Sequence, residues 1–104
     1  ALSTDGPVVK EINPFTNIAT AITRQSHTGD TIGIHQKISL DEALYAYTMG
    51  GAKMDDQENT KGSLSIGKVA DFIVVDQNPY TCSDLKQTQV LETWINGNRV
   101  FSSV

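Results

Sequence analysis

The chain has 104 residues, of which 12 are acidic and 8 basic, giving a net charge of -4 and a pI near 4.9. With no basic cluster to displace counterions, nucleic acid is excluded as a partner. The one cysteine, Cys82, rules out an internal disulfide and fits a reducing, cytoplasmic setting. No apolar run approaches the ~20 residues of a membrane span, and no charged-then-apolar start marks a secretion signal.

In chain order, Ala1 to Asp5 reads as the end of a strand stopped by Gly6-Pro7. Asn13 can cap and Pro14 open a helix through Phe15, Ile18, Ala19 and Ile22 to about Arg24, because its apolar residues recur at spacings of three and four. From Ser26 to Lys37 the chain is rich in Thr, Gly, His and Asp and reads as an irregular surface loop. Ser39-Leu40-Asp41-Glu42 is a capping box, with an acidic first turn that suits the helix dipole. Leu40, Ala43, Leu44 and Tyr47 follow on one face, leaving Tyr45 more exposed, and Gly50-Gly51 is expected to end or interrupt the helix. A short helical piece through Ala52, Lys53 and Met54 can follow, before polar residues from Asp55 to Lys61.

The second half is β. Gly62 to Lys68 forms a turn, and the run Phe72-Ile73-Val74-Val75 shows no polar alternation. The run therefore predicts a strand over about 70 to 76, buried on both faces and inside a sheet rather than at its edge. Asn78-Pro79 is a turn, and Ser83 to Lys86 a single helical turn. Asn96-Gly97 tolerates positive φ at both positions, so Val90 to Asn96 should pair antiparallel with Asn98 to Ser102.

Three strings go beyond local structure. Gly62-Ser63-Leu64-Ser65-Ile66-Gly67-Lys68-Val69-Ala70-Asp71, an apolar run and Asp76 match Gly-x-Leu-x-x-Gly-Lys-x-Ala-Asp followed by four apolar residues and Asp. Ile38-Ser39-Leu40-Asp41-Glu42-Ala43-Leu44-Tyr45-Ala46-Tyr47-Thr48-Met49-Gly50-Gly51-Ala52 and the pair Asn13-Pro14-Phe15 with Thr23-Arg24 form two more blocks. Together with Ser3-Thr4-Asp5-Gly6-Pro7-Val8, they resemble the C-terminal part of the amidohydrolase superfamily, metal-dependent hydrolases, in the branch of the N-substituted formamide deformylases. Thr4 stands where that branch usually has Ser, Ile38 where it has Leu, and the loop from Ser26 to Lys37 matches nothing specific.

The resemblance implies an α+β chain in two parts. Residues 1–60 would be the C-terminal remnant of a (β/α)8 barrel, its last strand and helices. Residues 61–104 would be the C-terminal strands of a composite β-sandwich, a small antiparallel sheet. A whole barrel takes about 250 residues, so the chain would be a piece of a larger enzyme. That enzyme would hydrolyse an amide-type, non-peptide C–N bond of a small molecule. Asp5 would be the barrel's final metal-site aspartate and its catalytic proton carrier, working with a divalent ion, zinc by expectation. A catalytic zinc takes roughly three protein ligands plus water, and the other metal ligands of that family have no counterpart here. The isolated chain is therefore expected to be inactive and to hold no metal. By losing sheet neighbours, it is expected to self-associate.

Other candidates read more plainly. His27 and His35, with Asp30 between them, lack the spacing of a metal site and read as exposed loop histidines. Trp94 sits in an alternating strand and reads as a packing residue. Cys82 has no Lys or Arg immediately beside it to activate a thiolate. The glycines before Lys68 lead into a strand, not a helix, which argues against a phosphate loop. The competing reading is a free-standing, non-catalytic α+β binding or scaffold module.

Overall fold

A computed structural model describes residues 1–3, 13–25 and 29–103. They form a small α+β fold. Helices α1 (Pro14–Thr23), α2 (Leu40–Tyr47) and α3 (Met49–Met54) come first, and strands β1 (Phe72–Val75), β2 (Val90–Ile95) and β3 (Asn98–Ser102) follow. Single 3-10 turns lie at Ile34–Gln36 and Leu85–Gln87.

The helix starts follow the local code of the sequence. Asn13 Oδ1 accepts from Phe15 N at 2.9 Å, and Pro14 occupies the first turn, where its missing N–H costs nothing. Ser39 Oγ accepts from Glu42 N, and Glu42 Oε1 accepts from Ser39 N, each at 3.1 Å. Ser39→Ala removes half of this box and should lower stability by about 1 kcal/mol, read as a shift in the urea midpoint. A midpoint unchanged from the parent chain would mean that the box is not used in solution.

Between α2 and α3 the sequence expectation needs correcting. Gly50 and Gly51 lie inside α3, and the interruption falls at Thr48, with φ -115 and ψ -83. Thr48 Oγ1 donates to Leu44 O at 2.7 Å, so the hydroxyl bonds back onto the helix and favours a bend there. Gly50 serves another purpose: a Cβ there would stand 3.3 Å from Ala1 Cα, so the glycine lets the start of the chain pass close.

The strand expected at Ala1 to Asp5 is absent from residues 1–3. Their polar groups go to helices instead, Leu2 N to Ala46 O at 3.1 Å and Ser3 O from Asn17 Nδ2 at 3.0 Å. The rest of that predicted strand, with Asp5, lies outside the described residues.

The sheet is antiparallel throughout, in the order β1-β2-β3. Asn96 and Gly97 take φ of 52 and 76 and close the β2-β3 hairpin as expected. The placement of β1 is a correction. It is an edge strand, not an internal one, and Ile73 and Val74 are 45% and 38% exposed rather than buried on both faces. An apolar run reports how much cover a strand is built to receive; here, among the described residues, only β2 covers it.

The core is small. Among the described residues the buried apolar side chains are Phe15, Ile18, Ala19, Ala43 and Ala52. Leu2, Ile22, Leu44 and Tyr47 pack around the cluster, and Val75, Leu85 and Val90 bring in the sheet side. Thr88 is fully buried and fastens the two halves. Its Oγ1 accepts from Gln77 Nε2 at 2.7 Å, and its carbonyl accepts from Asn13 Nδ2 at 3.4 Å. No described helix is long and apolar enough to cross a membrane.

Candidate functional site

Asp5, the one residue expected to carry chemistry, lies outside the described residues. The structure shows how both ends of its segment are held. On one side Ser3 O takes the amide of Asn17, whose Nδ2 also donates to Tyr47 Oη at 2.6 Å, tying the chain start to α1 and α2. On the other side Asn13 caps α1 and reaches Thr88.

Of the other candidates, His27 is likewise outside the described residues, and His35 is exposed in the turn Ile34–Gln36. Cys82 is half-buried, with Sγ 3.7 Å from Pro79 O. Trp94 packs as expected: its ring stacks on Phe72 at 5.5 Å between centroids and 10° between planes, and Nε1 donates to Glu92 Oε1 at 2.8 Å. Gly62 and Gly67 adopt φ of 101 and 93 in the turn before β1. A Cβ on Gly62 would stand 2.8 Å from both Ala52 Cβ and Met49 Sδ, so the position demands glycine twice over. Gly62→Ala should therefore lower the thermal midpoint by several degrees, whereas Gly67→Ala, with open space around it, should cost less. Equal losses would show that contact with α3 is unimportant.

Arg24 is a residue whose role the residue pattern did not disclose. It ends α1 at φ 59, its N–H bonded to Thr20 O, and its Nε donates to Ile32 O at 3.0 Å. The positive φ aims the guanidinium back onto residues 32–36, where Nη2 also meets Gln36 Oε1 at 3.4 Å. The only signal for this in the sequence was the Thr23-Arg24 pair at a helix end.

The helices and the sheet meet at Val75, Leu85 and Val90 and diverge elsewhere. The opening is an apolar wedge of about 420 Å³, lined chiefly by Phe15, Ile18, Leu44, Tyr47, Phe72 and Trp94. A second depression of about 720 Å³ adjoins it through Tyr47, Asp71, Phe72 and Ile73, with the Asp55–Lys61 ion pair, 3.5 Å apart, on its far side. Neither recess brings together groups for nucleophilic or acid-base work. Tyr80, which is exposed, donates to Asp41, and that bond holds its phenol pKa above the ordinary value, with burial and the negative charge of Asp41 adding to it. The bond fastens the turn at Asn78–Thr81 to the start of α2.

Among the described residues no three His, Cys, Asp or Glu side chains gather to hold a metal ion. The described residues do not by themselves fit a catalytic metal.

Comparison with known proteins supplies the kinship. The amidohydrolase family model matches residues 1–101. The chain is 32% identical over 80 residues, 75% of its length, to N-substituted formamide deformylase of Arthrobacter pascens, covering 15% of that protein. It is 35% identical over 103 residues, 97% of its length, to the Arabidopsis thaliana Protein LONG AFTER FAR-RED 3, covering 18% of it. Against imidazolonepropionase of Bdellovibrio bacteriovorus, identity is 44% over 45 residues, 43% of the chain and 11% of the relative. No solved structure matches. The chain thus spans less than a fifth of the length of the relatives it matches. A match running through nearly every residue, with the capping box, the glycine turn and the hairpin all formed, leaves one assignment: this chain belongs to the amidohydrolase family.

Proposed function

We propose that the chain is the C-terminal part of a longer, metal-dependent amidohydrolase that hydrolyses an amide-type C–N bond in a small molecule. The observation that carries this is the family match over residues 1–101, joined to relatives several times longer. The names N-substituted formamide deformylase and imidazolonepropionase support a non-peptide C–N substrate. In this reading residues 1–60 complete a (β/α)8 barrel and residues 61–104 contribute strands to a β-sandwich. A divalent ion in the parent, zinc by expectation, would supply the acidity that makes a bound water nucleophilic near neutral pH. Asp5 is the contribution of this chain to that centre: its carboxylate holds a proton between water and the leaving amine. The parent would be cytoplasmic, where the free thiol of Cys82 stays reduced.

The test is metal analysis with an amide-hydrolysis screen on the full-length polypeptide that carries this segment. It should hold a divalent metal near stoichiometry and turn over N-substituted amides, while the isolated chain does neither. A full-length product without bound metal and without turnover would overturn the reading and favour the non-catalytic module.

A further inference from the structure

Helix α3 is poorly made to stand alone. Its six residues, Met49–Met54, include Gly50 and Gly51, and a helix so short and so rich in glycine is marginal without packing. Its start at Thr48 carries no side-chain cap. What holds it is the glycine turn that precedes β1. Ala52 is buried, and Gly62 lies so close that a Cβ there would stand 2.8 Å from both Ala52 Cβ and Met49 Sδ. Further along the turn, Lys68 Nζ donates to Met49 Sδ at 3.7 Å. Lys68 N bonds Ser65 O and Val69 N bonds Thr60 O, so the lysine is carried on a closed loop of chain.

The two methionines of the chain sit at opposite ends of α3 in different surroundings. Met54 is 78% exposed, whereas Met49 is half-buried with its sulfur against an ammonium. A thioether is a weak acceptor, so the clasp as it stands is weak. Oxidation would change that, because a sulfoxide is polar and hydrogen bonds from a charged donor are the strong ones. In an apolar setting the new oxygen disrupts packing for want of a partner. At Met49 the partner already stands beside the sulfur. Met49 also lines the depression of about 720 Å³ beside α3, which gives a small oxidant a way in.

We propose that Met49 is a reversible oxidation site, where a hydroperoxide forms a sulfoxide that Lys68 then holds, tightening α3 against the glycine turn. The sulfur gives an electron pair to one peroxide oxygen, and the O–O bond breaks. That oxygen stays on sulfur and passes its proton to the departing one, which leaves as water when the oxidant is hydrogen peroxide. Sulfur loses two electrons and the peroxide gains them. A sulfoxide reductase reverses the change.

The test is hydrogen exchange read by mass spectrometry on the full-length polypeptide after sparing treatment with hydrogen peroxide. A Met54→Leu background leaves Met49 alone to mark the α3 peptide. Oxidised and unoxidised copies of that peptide differ by the mass of an oxygen, so each sample carries its own control. The α3 amides should exchange at least about threefold more slowly in the oxidised copies, well within what a hydrogen bond to a charged group contributes. Lys68→Gln should erase the difference. If Lys68→Gln does not fold, a second pair of variants decides: Met49→Gln, whose amide oxygen stands for the sulfoxide oxygen, should exchange more slowly in α3 than Met49→Leu. The proposal is overturned if Met49 stays unoxidised, if oxidised copies exchange as fast as the others or faster, or if the difference survives Lys68→Gln. Met49→Gln exchanging no more slowly than Met49→Leu overturns it as well. No readout here uses turnover, so this site and the hydrolase reading stand or fall separately.

Discussion

Asp5→Asn in the full-length polypeptide should lower kcat by at least about a hundredfold, the least that a positioned proton carrier usually contributes. Asparagine keeps the size and polarity of the side chain but takes up no proton near neutral pH. Circular dichroism and the thermal midpoint, measured alongside, should stay those of the unsubstituted polypeptide if the carboxylate serves the chemistry and not the fold. Metal content measured alongside separates the two roles given to the carboxylate. Loss of turnover with metal retained isolates the proton step, and loss of both marks a ligand. Unimpaired turnover would remove Asp5 from the mechanism.

The second large effect concerns the core of this chain. Ile18 is 2% exposed and lies with Phe15 and Ala43 at the centre of the only apolar cluster among the described residues. Ile18→Ala should cost about 3 kcal/mol, from lost burial plus the cavity left behind. Total stabilities are commonly about 5–15 kcal/mol, and a domain with a core this small belongs near the bottom of that range. The variant should therefore populate unfolded chain at room temperature. Ile73→Ala, at an exposed edge position, should cost far less when both are measured by urea titration in dilute solution. If the two losses were alike, the helical cluster would not be the folding core.

What was legible in the sequence was what neighbours along the chain decide. Asn13-Pro14, the Ser39–Glu42 box and Asn96-Gly97 each satisfy or aim a few backbone groups within a turn, so residue type fixed them without knowledge of the rest. Gly50-Gly51 misled because glycine has two uses. It can break a helix, or it can admit a passing backbone, and Ala1 decides for the second only in three dimensions. The apolar run at β1 misled for a related reason, since hydrophobicity states a requirement for cover and not its presence. Of the proposed site, Asp5 was named through a resemblance alone and lies outside the described residues. The wedge between helices and sheet could not be read at all, because Phe15, Tyr47, Phe72 and Trp94 meet there from four separate elements.

The hairpin turn has a further consequence, for how the protein ages. An Asn-Gly pair is chemically fragile, because the glycine nitrogen can attack the asparagine side-chain carbonyl, expel ammonia and leave a succinimide that opens to aspartate or isoaspartate. In this fold Gly97 N is occupied, donating to Ala70 O at 3.0 Å, and Asn96 N is held by Asp71. Deamidation must wait until the strand end at Ala70–Asp71 lets go, so the damage accumulated at Asn96 keeps a running record of how often that corner of the sheet opens.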